Sequence, residues 1–319
     1  MRIVQQSIRE LVSHVEFDLS SLILEQKIPF DLFIKKDKNF LIIIEEGTFI
    51  SQKIFSQLQK QKTLFIQKED QHKKNLGYQN LHSYLQSNLA LHKVTLSLLY
   101  EVIEKQFKHM LKHEKVLIDM EFVDSFVSDV TYLIESDPHY LKNSVKYFSC
   151  DYNLAIHSLH ITIYSLNIAY QLKLTAKEIH EIGVAALLHD IGMHEINQEI
   201  LDKTTKLNEE DTHIIQTHPK LSVEILEHNH IHNPYILDAV MHHHERYDGS
   251  GYPNKLFENQ ISKYASILAI CDVFDALTNN RPYRKKHSSF EALQMMMKDP
   301  TMQNSFNREY LKLFLKSLT

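Results

Sequence analysis

A carboxylate stands on a helix face that has to be buried. In the segment 262–277, SKYASILAICDVFDAL, Asp272 falls at helical spacing in line with Ala265, Leu268, Ala269 and Ala276, the apolar stripe of the pattern. A second charge sits at the end of another apolar run, where Val184-Ala185-Ala186-Leu187-Leu188 passes into His189-Asp190. Gly192 follows two residues later and is expected to stop that helix. An ionised Asp costs several kcal/mol to bury unless something positive neutralises it, and the negative end of a helix dipole adds to that demand. The chain therefore has to close apolar helices around a cation.

Side chains suited to hold that cation recur along the sequence. His157 lies in LAIHSLHITIY, His218 precedes Pro219, and His243-His244 opens the stretch His243–Pro253, HHERYDGSGYP. Only 6 glycines occur in 319 residues, and Gly249 and Gly251 both fall in this stretch, so the backbone there is bent to a particular shape beside His, Asp and Tyr. Imidazole suits iron, manganese, zinc or nickel, and carboxylates bridge two ions. Five His and two Asp from separate helices match the ligand type of a polynuclear site.

Taken in order, His157, HDIG at 189–192, His218-Pro219, HHExxDGSGYP at 243–253 and DVFDALTxxRPYR at 272–284 resemble the HD-GYP family of bacterial cyclic di-GMP phosphodiesterases. The resemblance implies metal ligands at His157, His189, Asp190, His218, His243, His244 and Asp272, with His189 and Asp190 central to catalysis and Asp190 bridging two ions. It implies two divalent transition-metal ions, iron in the first place, with manganese or another ion as alternatives. Tyr252 would face the substrate, and Arg281 and Arg284 would meet phosphate, a role that guanidinium forks also suit on chemical grounds. Hydrolysis of cyclic di-GMP would give pGpG, with GMP as a further product.

Two positions depart from the family pattern. Met193 stands where many members have Lys after HDIG, which removes a cation from the phosphate site. Asn153 stands four residues before the first metal His, where some members carry a Glu that holds a third ion. A neutral amide is a poor metal ligand, so two ions are expected. The loss at Met193 keeps a weakly catalytic sensor of cyclic di-GMP as an alternative, beside an HD phosphohydrolase acting on another nucleotide.

The expected fold is mainly α, a helical HD-type bundle holding a metal centre after a small α+β N-terminal domain. The boundaries are 1–75 for that domain, whose role is unassigned and could be regulatory, 76–116 for a helical connector, and 117–319 for the HD-GYP phosphodiesterase domain. Short β-rich runs, FDLFIKK and NFLIIIEE around Lys36-Asp37-Lys38, an amphipathic helix from Ser51 and the strand LFIQ define the first domain. The polar segment Gln71 to Asn80 reads as a linker, and Leu81 to Ile134 as amphipathic helix. Beyond Asp151 helix starts are marked by Thr175 with Glu178, Asn208 with Asp211, and Asn233-Pro234.

Composition of 43% hydrophobic and 24% charged residues is that of a globular protein with a large core. A net charge of −5 gives no reason to expect a nucleic acid polymer or a membrane surface as partner. Cyclic di-GMP is the expected small-molecule partner, with protein partners reached through the GYP loop or the N-terminal domain. Cys150 and Cys271 lack CxxC spacing and suit a reducing, cytoplasmic compartment. Apolar runs such as Phe40–Ile44 are too short to span a bilayer, and the first residues lack a signal-peptide pattern.

Overall fold

The computed structural model describes residues 14–318 apart from positions 18, 20–21, 23–26, 29, 38, 62, 69, 71–80, 82–84, 86–88, 90–91, 113–114, 149–152, 204, 206 and 281–285. It separates into two compact units, Met1–Ser87 and Asn88–Thr319. The proposed linker at 71–80 lies outside the described residues.

The first unit is a four-stranded antiparallel sheet with one helix. Its strands are β1 (His14–Phe17), β2 (Leu32–Lys36), β3 (Asn39–Ile44) and β4 (Leu64–Gln67), in the order β1-β4-β2-β3. The β2–β3 hairpin turns at Asp37, which takes φ of +55°, a conformation that a short Asp side chain tolerates. Helix α1 (Gln52–Leu58) starts where Ser51 accepts a hydrogen bond from the Ile54 amide. Phe17, Leu32, Leu64 and Ile66 from the sheet meet Ile50 and Leu58 in a separate core. Strand β1 was not anticipated, because four residues, HVEF, are too few to show an alternating pattern.

The second unit is helical. Its helices are α2 (His92–Met110), α3 (Met120–Ser136), α4 (Tyr140–Ser144), α5 (Leu154–Gln171), α6 (Ala176–Leu188), α7 (Gln198–Leu201), α8 (Glu209–Ile215), α9 (His218–His228), α10 (Pro234–His242), α11 (Lys263–Thr278), α12 (Ser289–Lys298) and α13 (Arg308–Leu318). Among the described residues, the stretch read as one amphipathic segment from Leu81 to Ile134 holds α2 and most of α3, and Asp119 caps the latter by accepting from the Phe122 amide.

Helices α5 and α11 are the centre of this unit. Every residue from Ala155 to Ala169 is buried, as is most of α11, which is the fate of helices apolar on all sides. Helix α5 packs against α2, α3, α6, α11 and α13, and α10 lies against both α6 and α11. The caps read from sequence are all formed: a capping box at Thr175 and Glu178 starts α6, another at Asn208 and Asp211 starts α8, and Asn233 with Pro234 starts α10. Helices α6 and α10 both end at a histidine, His189 and His243. No helix among the described residues is long and apolar enough to cross a membrane.

Tyr164 of α5, Phe274 of α11 and Phe314 of α13 join three helices, with ring centroids 5.4, 5.4 and 4.9 Å apart. Phe314 is fully buried. Truncation to Ala should leave a cavity between the helices and lower unfolding free energy by about 3–5 kcal/mol, measured by chemical denaturation; a loss well under 1 kcal/mol would show that α13 is not part of the core.

Candidate metal centre

The seven predicted ligands converge, although they come from six elements of the chain. Asp190, His218, His243 and His244 form one group and His157, His189 and Asp272 another, with the facing ligand atoms of each group within 4.8 Å of one another. Asp190 lies between the groups. Its Oδ1 is 3.0 Å from His218 Nε2 and 3.4 Å from His243 Nε2, and its Oδ2 is 3.5 Å from His157 Nε2 and 3.6 Å from His189 Nε2. Asp272 Oδ1 is 3.5 Å from His157 Nε2, and Asp272 Oδ2 is 3.4 Å from His244 Nδ1. All seven side chains are buried or nearly so.

Hydrogen bonding fixes which nitrogen each ring offers. His189 Nδ1 donates to the Ala186 carbonyl at 2.8 Å, His218 Nδ1 to Ile215 at 2.8 Å, and His243 Nδ1 to Val240 at 2.6 Å. A carbonyl only accepts, so each Nδ1 carries a proton, and each ring, when it serves as a ligand, would turn an Nε2 lone pair inward. Those lone pairs face one another: His218 and His243 Nε2 are 3.2 Å apart, His218 and His244 Nε2 3.1 Å, and His157 and His189 Nε2 3.3 Å. Nitrogens held about 2.1 Å from one ion at octahedral or tetrahedral angles lie about 3.0–3.4 Å apart. Asp190 Oδ1 is moreover buried without a well-formed hydrogen bond. Mutually repelling lone pairs around an unsatisfied carboxylate oxygen fit divalent metal ions.

Burial opposes ionisation of Asp190, yet the adjoining His189 and His218 hold its carboxyl well below the usual range. Burial lowers His189 to about 4, and burial with the neighbouring His243 and His218 lowers His244, so both rings stay neutral as ligands must be. Burial also acts downward on His157, but the hydrogen bond and charge of Asp275 outweigh it and raise that ring. Burial acts downward on His218, but the charge and hydrogen bond of Asp190 outweigh it and raise that ring.

The residues expected to face the substrate are only partly described. Tyr252 stacks on His244 with centroids 4.6 Å apart, at the edge of the centre, and burial raises its phenol so that it stays protonated. Arg281 and Arg284 lie outside the described residues. Met193 is half-buried on the single 3-10 turn Ile191–Glu195 after α6, and His194 beside it is exposed. Asn153 does not turn toward the centre: its Oδ1 caps α5 through the Ile156 amide and its Nδ2 donates to Glu104 at 2.7 Å.

Gly192 differs from its expected role. Helix α6 has already ended at Leu188, with no left-handed residue, and the glycine serves a close approach instead. A Cβ there would lie 2.4 Å from the Ser222 amide nitrogen and 2.5 Å from the His218 carbonyl oxygen, both backbone atoms of α9. The glycine thus lets the turn carrying Asp190 press onto the helix carrying His218.

Several residues that shape the centre escaped the sequence reading. Glu245, buried beside the two histidines, accepts from the amides of Asn254 at 2.6 Å and Leu256 at 3.0 Å and so ties down the loop that carries Tyr252. Asp248 accepts from the Ser250 amide, the Ser250 hydroxyl and the Ser305 hydroxyl. Asp275 and His160 stand three residues beyond Asp272 and His157, on the same helix faces, and contact each other. The i, i+3 spacing from those two ligands is a signal in the sequence that would have found them.

The HD domain family matches residues 102–302, and the protein belongs to that family. The HD-GYP motif series read from the sequence lies within this span. Over 201 residues the chain is 31% identical to the cyclic di-GMP phosphodiesterase PA4108 of Pseudomonas aeruginosa, covering 63% of this chain and 48% of that protein. It is 37% identical over 142 residues to the 3'3'-cGAMP-specific phosphodiesterase 3 of Vibrio cholerae, covering 44% of this chain and 30% of the other. The chain thus spans about half the length, or less, of these relatives. Among solved structures, Bd1817, an HDG"Y"P protein of Bdellovibrio bacteriovorus, has the same fold, with a TM-score of 0.61 over 96% of this chain and 99% of that one at 17% identity.

Gly192→Ala should force α9 and its His218 away from Asp190. Overpacking of this kind costs about 1–3 kcal/mol, and metal affinity should fall with it; thermal melts of the metal-free protein and a metal titration check both, and unchanged affinity would show that α9 yields without moving the ligand.

Proposed function

We propose that this protein is a cytoplasmic, metal-dependent phosphodiesterase that opens cyclic di-GMP at one 3′–5′ phosphodiester bond by attack of water, giving linear pGpG. The observation that carries the reading is the placement of Asp190, whose two oxygens face the two ligand groups. Two divalent transition-metal ions suit this arrangement, iron in the first place and manganese as the alternative. Bound there, such ions supply acidified water near neutral pH and neutralise phosphoryl charge. The name of the Pseudomonas relative supports the substrate assignment.

The chain's own residues would divide the work. Asp190 and His189 hold the reacting centre together, and the two groups of imidazoles keep it neutral and dry. Tyr252, protonated and fixed by the Glu245 clamp, is a hydrogen-bond donor at the edge of the centre where a ligand enters. Arg281 and Arg284 would bind phosphate oxygens in bidentate fashion. The same loop, or the N-terminal unit, is where protein partners would attach. Asn153, engaged as a helix cap, favours two ions over three and pGpG over GMP as the product.

The Vibrio relative, named as specific for 3'3'-cGAMP, motivates a second reading in which one guanine is replaced by adenine. Metal-replete protein purified without oxygen and incubated with each dinucleotide separates the two. Cyclic di-GMP should be converted faster, and Asp190→Ala should lose hydrolysis and much of its metal together. Absence of hydrolysis of either dinucleotide by metal-loaded protein would sink the proposal.

Met193 tests the missing cation. An ammonium placed after HDIG would stabilise charge developing on the phosphoryl group, so Met193→Lys should raise turnover with metal content unchanged. A slower Lys variant would mean that the half-buried Met193 packs in a site arranged around it.

A further inference from the structure

Four of the ligand histidines are oriented in two different ways. His189, His218 and His243 each donate Nδ1–H to a carbonyl three residues earlier. Those carbonyls, of Ala186, Ile215 and Val240, belong to the last turns of α6, α8 and α10, where backbone acceptors have no helical partner. His157 has no such neighbour. It lies in the first turn of α5, where the carbonyl three residues back is taken up by the continuing helix. Its Nδ1 turns instead to Asp275 Oδ2 at 2.7 Å.

Asp275 is itself held from several sides. It is fully buried on α11. Asn279 Nδ2 donates to the same Oδ2 at 2.7 Å, and His160 Nδ1 meets Oδ1 at 2.8 Å. His160 Nε2 is 2.7 Å from the Tyr100 hydroxyl on α2. A chain of hydrogen bonds therefore runs from α2 through His160 and Asp275 to a ligand ring.

We infer that Asp275 is a positioning residue for one of the two ions, the one facing His157, His189 and Asp272, and that Tyr100 and His160 keep its carboxylate aimed. This rests on the two-ion reading. A carboxylate behind an imidazole fixes the ring and makes it a more basic ligand than a carbonyl does, and loss of such a partner typically weakens metal binding roughly 10–100-fold. In the other group, His218 and His243 are oriented by backbone carbonyls rather than by Asp275.

The test is Mn2+ binding by the metal-free protein, followed by electron paramagnetic resonance of free Mn2+, for wild type, Asp275→Asn and Tyr100→Phe. Asn keeps the shape and one acceptor but not the charge. One of two binding steps should weaken roughly 10–100-fold in Asp275→Asn, with the other step and the melting temperature of the metal-free protein unchanged. Tyr100→Phe should weaken the same step by a smaller factor. Equal weakening of both steps, or of neither, overturns the inference. If Asp275→Asn does not fold, Tyr100→Phe decides, and an unaltered step there overturns it as well. A wild type that takes up no Mn2+ would defeat the metal centre itself, an outcome distinct from two normal steps in both variants.

Discussion

Everything in the larger unit is arranged around one buried charge, the carboxylate of Asp190. Left alone in the core it would be among the most unfavourable groups in the protein, since a buried ion without a partner costs several kcal/mol. Four imidazoles surround it instead, from α5, the ends of α6 and α10, and the start of α9. Their inward lone pairs repel one another and attract any divalent cation. The apolar helices thus provide the dry surroundings in which such a site can bind, and bound ions would make those surroundings tolerable for the carboxylate.

How the ligands reach this point follows from helix ends. A capping box holds the start of α6 and an Asn–Pro pair holds the start of α10, and each helix has a histidine at its C-terminal end. Free carbonyls in their last turns then choose the tautomer of each ring. The loop that carries Tyr252 is tied to the same spot, because Glu245, next in sequence to two predicted ligands, clamps it by two amides. Loop shape and ligand geometry are therefore set by one short stretch of chain.

Much of this was legible in the residues. Asp272 on an apolar helix face and Asp190 at the end of an apolar run announced a buried cation, and the caps announced where helices begin. Identity and spacing were sufficient there because the ligands differ in kind from the core around them. The supporting residues were harder to see. Asp275 and His160 look like ordinary polar breaks in buried helices until the facing of α5 and α11 brings them together. Gly192 carries a signal for a helix stop, yet its use is a contact with α9 that only the packed structure reveals. Strand β1 is too short for a pattern, and its pairing partner β4 lies far along the chain.

Asn153 joins two properties that are usually discussed apart. Its side chain is the cap of the central helix α5 and sits one turn before the first ligand. Glu is not among the residues that cap helices well, so an acid at this position would give up an Asn cap worth about 1 kcal/mol. The number of ions and the anchoring of the innermost helix are thus alternatives competing for one side chain. A chain that gained a third ion through an acid at this position would do so at that cost to the start of α5.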